Sequence, residues 1–129
     1  MLEIVAMTML AAPAVEDPAI RTAILDAARK PASEALGKIV LFKVQALRKS
    51  GDWAFLLADM EEGDGRPLSY AGTPRAEAAA NGMASRSYAA LLKQRGESWT
   101  VVDSAVGPTD APWEGWPRAH GAPEGLFRP

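Results

Sequence analysis

The sequence predicts an α+β domain: an N-terminal helix packed on a curved four-stranded antiparallel sheet, followed by an irregular C-terminal tail anchored by tryptophans. Three observations carry this reading. Two apolar runs on either side of Ser50-Gly51-Asp52 make residues 38–60 a long hairpin, with Gly51 free to take the positive φ such a turn needs. A second pair of alternating runs, 86–95 and 99–106, flanks Gly96-Glu97-Ser98. Ahead of both, Asp17-Pro18 opens a segment with apolar residues at helical spacing.

Residues 1–14 are mildly apolar (Ile4-Val5-Ala6-Met7-Thr8-Met9-Leu10) and close on Ala12-Pro13-Ala14, small residues of the kind a signal peptidase reads. Glu3 is the only charge before Glu16, so the basic start of an export signal is missing. The expectation is a truncated or atypical export signal, or else an apolar arm, preceding a single domain over 15–129. Export would make the chain periplasmic or secreted; without a signal at 1–14 it would be cytoplasmic.

In the helix, Asp17 is placed to cap free N–H groups, and Pro18 suits the first helical position because its missing donor would have gone unpaired. Ile20, Ile24 and Ala27 or Ala28 form the apolar stripe, with Arg21, Asp26 and Arg29 away from it. Pro31 lacks an N–H and restricts Lys30, so it is expected to break or kink the helix and open a second short one over 32–36, stopped by Gly37.

Strand faces follow from alternation. Val40, Phe42, Val44 and Ala46 share one face of the first strand. In the second, Trp53, Phe55 and Leu57 oppose Ala54, Leu56, Ala58 and Met60, which makes it apolar on both sides and therefore central. The connection over 61–85 carries Asp64-Gly65, Pro67, Gly72, Pro74, an alanine-rich stretch and Gly82, and a connection this long is expected to serve function or to hold a short helix. In the third strand Tyr88, Ala90 and Leu92 oppose Ala89 and Leu91. In the fourth, Trp99, Val101, Asp103 and Ala105 alternate with Thr100, Val102, Ser104 and Val106. Prolines at 108, 112 and 117 forbid a long helix or central strand in the tail, yet Trp113 and Trp116 would each bury roughly 150–250 Å², so the tail is expected to fold back on the domain.

Composition bounds the function. With 129 residues, 48% hydrophobic and 23% charged, the chain is an ordinary globular domain. A net charge of −2 with scattered Lys and Arg gives no basic stripe, so nucleic acid is not an expected partner. No apolar run approaches the roughly 20 residues of a membrane span. Without cysteine, disulfides and thiolate metal sites are out of reach.

Taken together, Gly51-Asp52-Trp53-Ala54-Phe55, Asp64-Gly65-Arg66-Pro67, Gly107-Pro108-Thr109-Asp110, Trp113 with Trp116, and Ala122-Pro123 followed by Leu126-Phe127 resemble a family of small exported bacterial proteins of uncharacterised role, over residues 19–127. The resemblance implies fold and export and supplies no catalytic residue. The helix-plus-four-strands order is also similar to the cystatin-like and NTF2-like architecture, a likeness of fold alone.

Candidate chemistry is sparse. His120 is the single histidine, so the most it can build is a dyad with Asp103 or Asp110. Asp103 shares a predicted face with Trp99 and Val101, and a carboxylate in an apolar concavity has the raised pKa an acid/base residue uses. With Tyr88 and Trp99 it would line a pocket between helix and sheet. Glu61-Glu62-Gly63-Asp64-Gly65 gathers three carboxylates but lacks the spacing of a calcium loop, and Ser50-Gly51-Asp52 joins two strands where a nucleophile elbow joins strand to helix. No metal or cofactor is expected. Two functions follow. The first is a non-catalytic accessory or binding module of the bacterial cell envelope, holding a protein or small-molecule ligand on a strand edge or the 61–85 loop, with homodimerisation through a sheet edge as one use of that edge. The second is an NTF2-like small-molecule-binding protein or enzyme using Asp103.

Overall fold

The computed structural model describes residues 11–128; the apolar run at 4–10 lies outside them. Helix α1 (Pro18–Leu36) leads into a sheet of β1 (Leu41–Ser50), β2 (Trp53–Glu61), β3 (Ser87–Arg95) and β4 (Ser98–Val106), with the short helix α2 (Ala76–Ala80) between β2 and β3. The sheet is an open antiparallel meander in the order β1-β2-β3-β4. The tail forms a 3-10 turn (Pro112–Gly115), α3 (Trp116–His120) and a second 3-10 turn (Glu124–Phe127).

The α1 start is as its sequence dictates. The Asp17 carboxylate accepts from the Ala19 and Ile20 amides at 2.9 and 3.1 Å, and Gly37, at φ 68°, ends the helix by returning its N–H to the Ser33 carbonyl. The expected break at Pro31 is absent: one helix of 19 residues runs through it. Proline removes a single N–H donor and crowds the preceding turn, costing about 3 kcal/mol in a helix interior. Against that, Ile24, Ala28, Ala32 and Leu36 form an i, i+4, i+8, i+12 stripe that is wholly or almost wholly buried on both sides of Pro31. Breaking the helix would lift Ala32 and Leu36 off the sheet, so packing overrides propensity.

The stripe meets Val40, Leu47, Leu56, Met60, Tyr88, Leu92 and Trp99 on one face of the sheet. The other face is covered by the tail, where Phe55, Ala89 and Leu91 pack with Trp116, Ala122, Leu126 and Ala12. Phe55 is the centre of that layer, with ring centroids 6.1 Å from Trp113, 6.3 Å from Trp116 and 4.7 Å from Phe127. Both sides of β2 are thus buried, as its two apolar faces require.

Two β-bulges break the alternation. Between Val44 and Ala46 the register of β1 against β2 slips by one residue, so Leu47 joins Val44 on the helix side, and Ala46 does not continue the Val40, Phe42, Val44 row. Between Leu91 and Leu92 the partners on β4 jump from Asp103 to Val101, leaving Val102 as the extra residue. Because side chains alternate with a period of two, each slip exchanges the faces beyond it.

The contacts of the domain begin ahead of Val15. Ala14 bridges to Arg48, Val15 N–H donates to Leu47 O at 2.9 Å, Lys49 N–H donates to Pro13 O at 3.2 Å, and Ala12 N–H reaches Gly125 O at 2.8 Å. This short segment lies along the outer edge of β1. No helix among the described residues is long and apolar enough to cross a membrane.

Candidate functional site

The bulge at Val102 decides where Asp103 points. Trp99 and Val101 belong to the helix-side core, but Asp103 pairs across the sheet with Leu91, a tail-side residue. The shared face expected for Asp103, Trp99 and Val101 is therefore corrected: Asp103 faces the tail. Tyr88 and Trp99 remain on the helix side. Tyr88 is fully buried, its hydroxyl donates to the Ala28 carbonyl at 3.0 Å, and burial pushes its pKa up to about 12. Trp99 is a buried core residue. The space between helix and sheet in which these three were to meet is filled by Ile24, Leu56, Met60, Tyr88 and Leu92, each under 2% exposed.

On the tail side Asp103 meets His120, the last residue of α3. His120 Nε2 lies 2.8 Å from Asp103 Oδ2, while Asp103 Oδ1 accepts from the Ser104 amide at 2.9 Å. The side chains are 26% and 37% exposed. α3 orients the imidazole, and Gly121 at φ 71° ends that helix immediately after it. Of the two partners open to His120, the fold supplies Asp103. The pair is an acid/base unit in form. In place it is a tie between tail and sheet, since Asp103 is on β4 and His120 on the segment packed over β2 and β3. Neither residue lines the hollows described next, and no serine hydroxyl is bonded to the imidazole.

The other feature is the connection between β2 and β3, which is pinned at several points. Leu68 N–H donates to Met60 O at 3.2 Å, Met60 N–H to Arg86 O at 2.8 Å, and Arg86 Nε to Leu68 O at 2.9 Å, so the strand-like run after Pro67 lies against the β2 and β3 ends. Glu62 accepts from Lys38 Nζ at 2.9 Å and from the Ser69 amide at 2.7 Å, and those bonds hold its carboxyl below the ordinary carboxylate value. Asp64 takes the Arg66 guanidinium at 2.7 Å and the Arg66 amide at 3.1 Å, and its carboxyl is lowered in the same way. Two of the three carboxylates that suggested a cation loop, Glu62 and Asp64, are thus engaged by internal partners. Among the described residues no group of three or more His, Asp or Glu side chains is arranged to hold a metal.

Farther along, the Tyr70 hydroxyl donates to the Ser85 carbonyl, Ser85 Oγ donates to Pro108 O at 2.5 Å, Ser85 N–H reaches Gly107 O at 3.1 Å, and Gly107 N–H reaches Ser87 O at 2.8 Å. Gly107 takes φ 66°, and the Tyr70 hydroxyl lies 2.6 Å from where a Cβ would stand. Held this way, the connection borders an open hollow of about 580 Å³ between residues 67–71 and α2, lined by Leu68, Tyr70, Ala76, Ala79, Ala84 and Arg86 among others. A smaller hollow of about 440 Å³ adjoins it, sharing Pro67, Ser69 and Arg86. The sequence marked this connection by its length. It gave no signal for the hollow, which depends on Tyr70 reaching Gly107 across 37 residues of chain.

No protein-family model, curated protein or solved structure matches this chain.

Proposed function

We propose that the protein is a non-catalytic binding module whose recognition element is the 62–86 connection. The observation that supports this reading is the hollow itself: a volume within the roughly 300–1,000 Å³ of small-ligand sites, on a loop held in one shape by the Lys38–Glu62, Arg86–Leu68 and Tyr70–Ser85 contacts. Preorganisation of that kind lowers the entropy lost on binding. The Asp103–His120 pair fits a structural role better, because it fastens α3 to β4 and stands apart from the hollow.

The test is a titration of the isotopically labelled full chain with a set of small neutral, cationic and anionic compounds, followed by amide NMR. Perturbations centred on Leu68, Tyr70, Ala79 and Ala84 are the expected result. A set that moves no resonance in residues 67–86 refutes the reading. The same proposal places the protein in the bacterial cell envelope, on the strength of the apolar run before Ala12. Fractionation and mass measurement of the product test that part, and uncleaved protein in the cytosolic fraction refutes it. Homodimerisation through a sheet edge has one clear edge to use: β1 is partly occupied by Ala14, whereas β4 pairs only with β3 among the described residues. Sedimentation that shows a monomer at every concentration refutes this use of the edge.

A further inference from the structure

Resting on the binding-module reading above, we propose that the hollow under α2 takes a small monocarboxylate with an apolar body, its carboxylate held by Arg86. The lining is small and mixed: Leu68 and the alanines between 71 and 84 supply apolar surface, Ser69, Ser85 and Arg86 polar surface, and no acidic side chain is among them. The apolar part suits a hydrocarbon body, the polar part a charged or hydrogen-bonding head.

The charge balance of the connection selects the head group. Lys38 is engaged by Glu62 and Arg66 by Asp64. Arg75 and Arg86 have no carboxylate within ion-pair distance among the described residues, and both lie close enough to the Tyr70 phenol to act on it electrostatically. Arg86 itself lines the hollow, and its Nε is already bonded to Leu68 O. That bond fixes the plane of the guanidinium and leaves its terminal N–H groups to donate elsewhere. A planar, fixed fork matches a carboxylate, which accepts two parallel bonds. Of the acids between 62 and 86, Glu62 and Asp64 are consumed internally and Glu77 is exposed and outside the wall.

The probes are hexanoate and its neutral isostere hexanamide, titrated into the full chain at neutral pH with amide NMR as readout. Hexanoate should perturb Leu68, Tyr70, Ala79, Ala84 and Arg86 and bind about tenfold or more tightly than hexanamide, the difference a charge-assisted bond supplies. Added salt should weaken hexanoate and leave hexanamide unchanged. Arg86→Gln should remove the preference for the acid. Because that substitution also loses the tie to Leu68, Ala80→Trp serves as a second variant: it fills the hollow from an exposed position and should abolish binding of both probes. Equal affinity for the two probes overturns the carboxylate assignment and leaves the module intact, as does a hexanoate response mapping away from the hollow. The module falls separately, on the mixed compound set.

Discussion

Replacing Gly107 with alanine places a methyl carbon 2.6 Å from the Tyr70 hydroxyl and 2.9 Å from the Ser85 carbonyl oxygen, on a backbone at φ 66°. Two penalties follow. An L-residue in the left-handed region costs roughly 1–2 kcal/mol. The methyl also has to displace the phenol from Ser85, leaving a largely buried hydroxyl without its acceptor, which costs about 1–3 kcal/mol more. Gly121→Ala separates the two: it has φ 71° and nothing within 4 Å of the new carbon, so it should lose the first penalty only. Urea unfolding followed by tryptophan fluorescence should therefore show Gly107→Ala at about 2–5 kcal/mol and Gly121→Ala at about 1–2 kcal/mol below the parent. In the former, amide shifts should also spread along residues 67–86. Equal losses in the two variants, with the 67–86 resonances undisturbed, would refute the claim that Tyr70 is held against Gly107.

Three further outcomes are expected. In the folded chain Tyr88 stays protonated to about pH 12, against an ordinary 10.0, so its stabilising contribution is complete below pH 10 and is lost as pH rises toward 12. Tyr88→Phe should flatten this alkaline limb, by on the order of 2–3 kcal/mol between pH 9 and 12 in urea midpoints, at a neutral-pH cost of about 1 kcal/mol. At the acid end, Glu62 is held below its ordinary 4.5, so the Lys38–Glu62–Ser69 contact contributes fully above that value and is lost as pH falls below it. Glu62→Gln should lessen the acid dependence of the unfolding midpoint, and an unchanged profile would show that the contact contributes nothing. Finally, a double-mutant cycle of Asp103→Asn with His120→Ala should return a coupling of only about 0–1 kcal/mol, because both groups are partly hydrated; a much larger value would mean a drier and stronger pair than the structure shows.

What was legible in the sequence was whatever local chemistry decides. Asp17, Pro18 and Gly37 define the helix ends, Gly51 and Gly96 place both hairpin turns, and the alternating runs locate β3 and β4 to within a residue or two. The break expected at Pro31 was a misreading because the local penalty of proline is visible and the compensating burial of Ala32 and Leu36 is not. The face of Asp103 was misread for a related reason: a bulge inserts no characteristic residue, and Val102 looks like any other strand position. His120 beside Asp103 was within reach as one of two possible dyads, but the choice between them needed the path of the tail. The hollow was out of reach, since it is assembled from side-chain and backbone hydrogen bonds between segments far apart in sequence.

The tail supplies the cover of one sheet face and no part of the opposite core: helix, strands and the helix-side layer use no residue beyond Val106. Take residues 107–128 away and Phe55 and Leu91 look out on solvent from a sheet that is otherwise complete. Such a shortened chain is a half-clad molecule with an apolar patch, open to chaperones or to another uncovered copy.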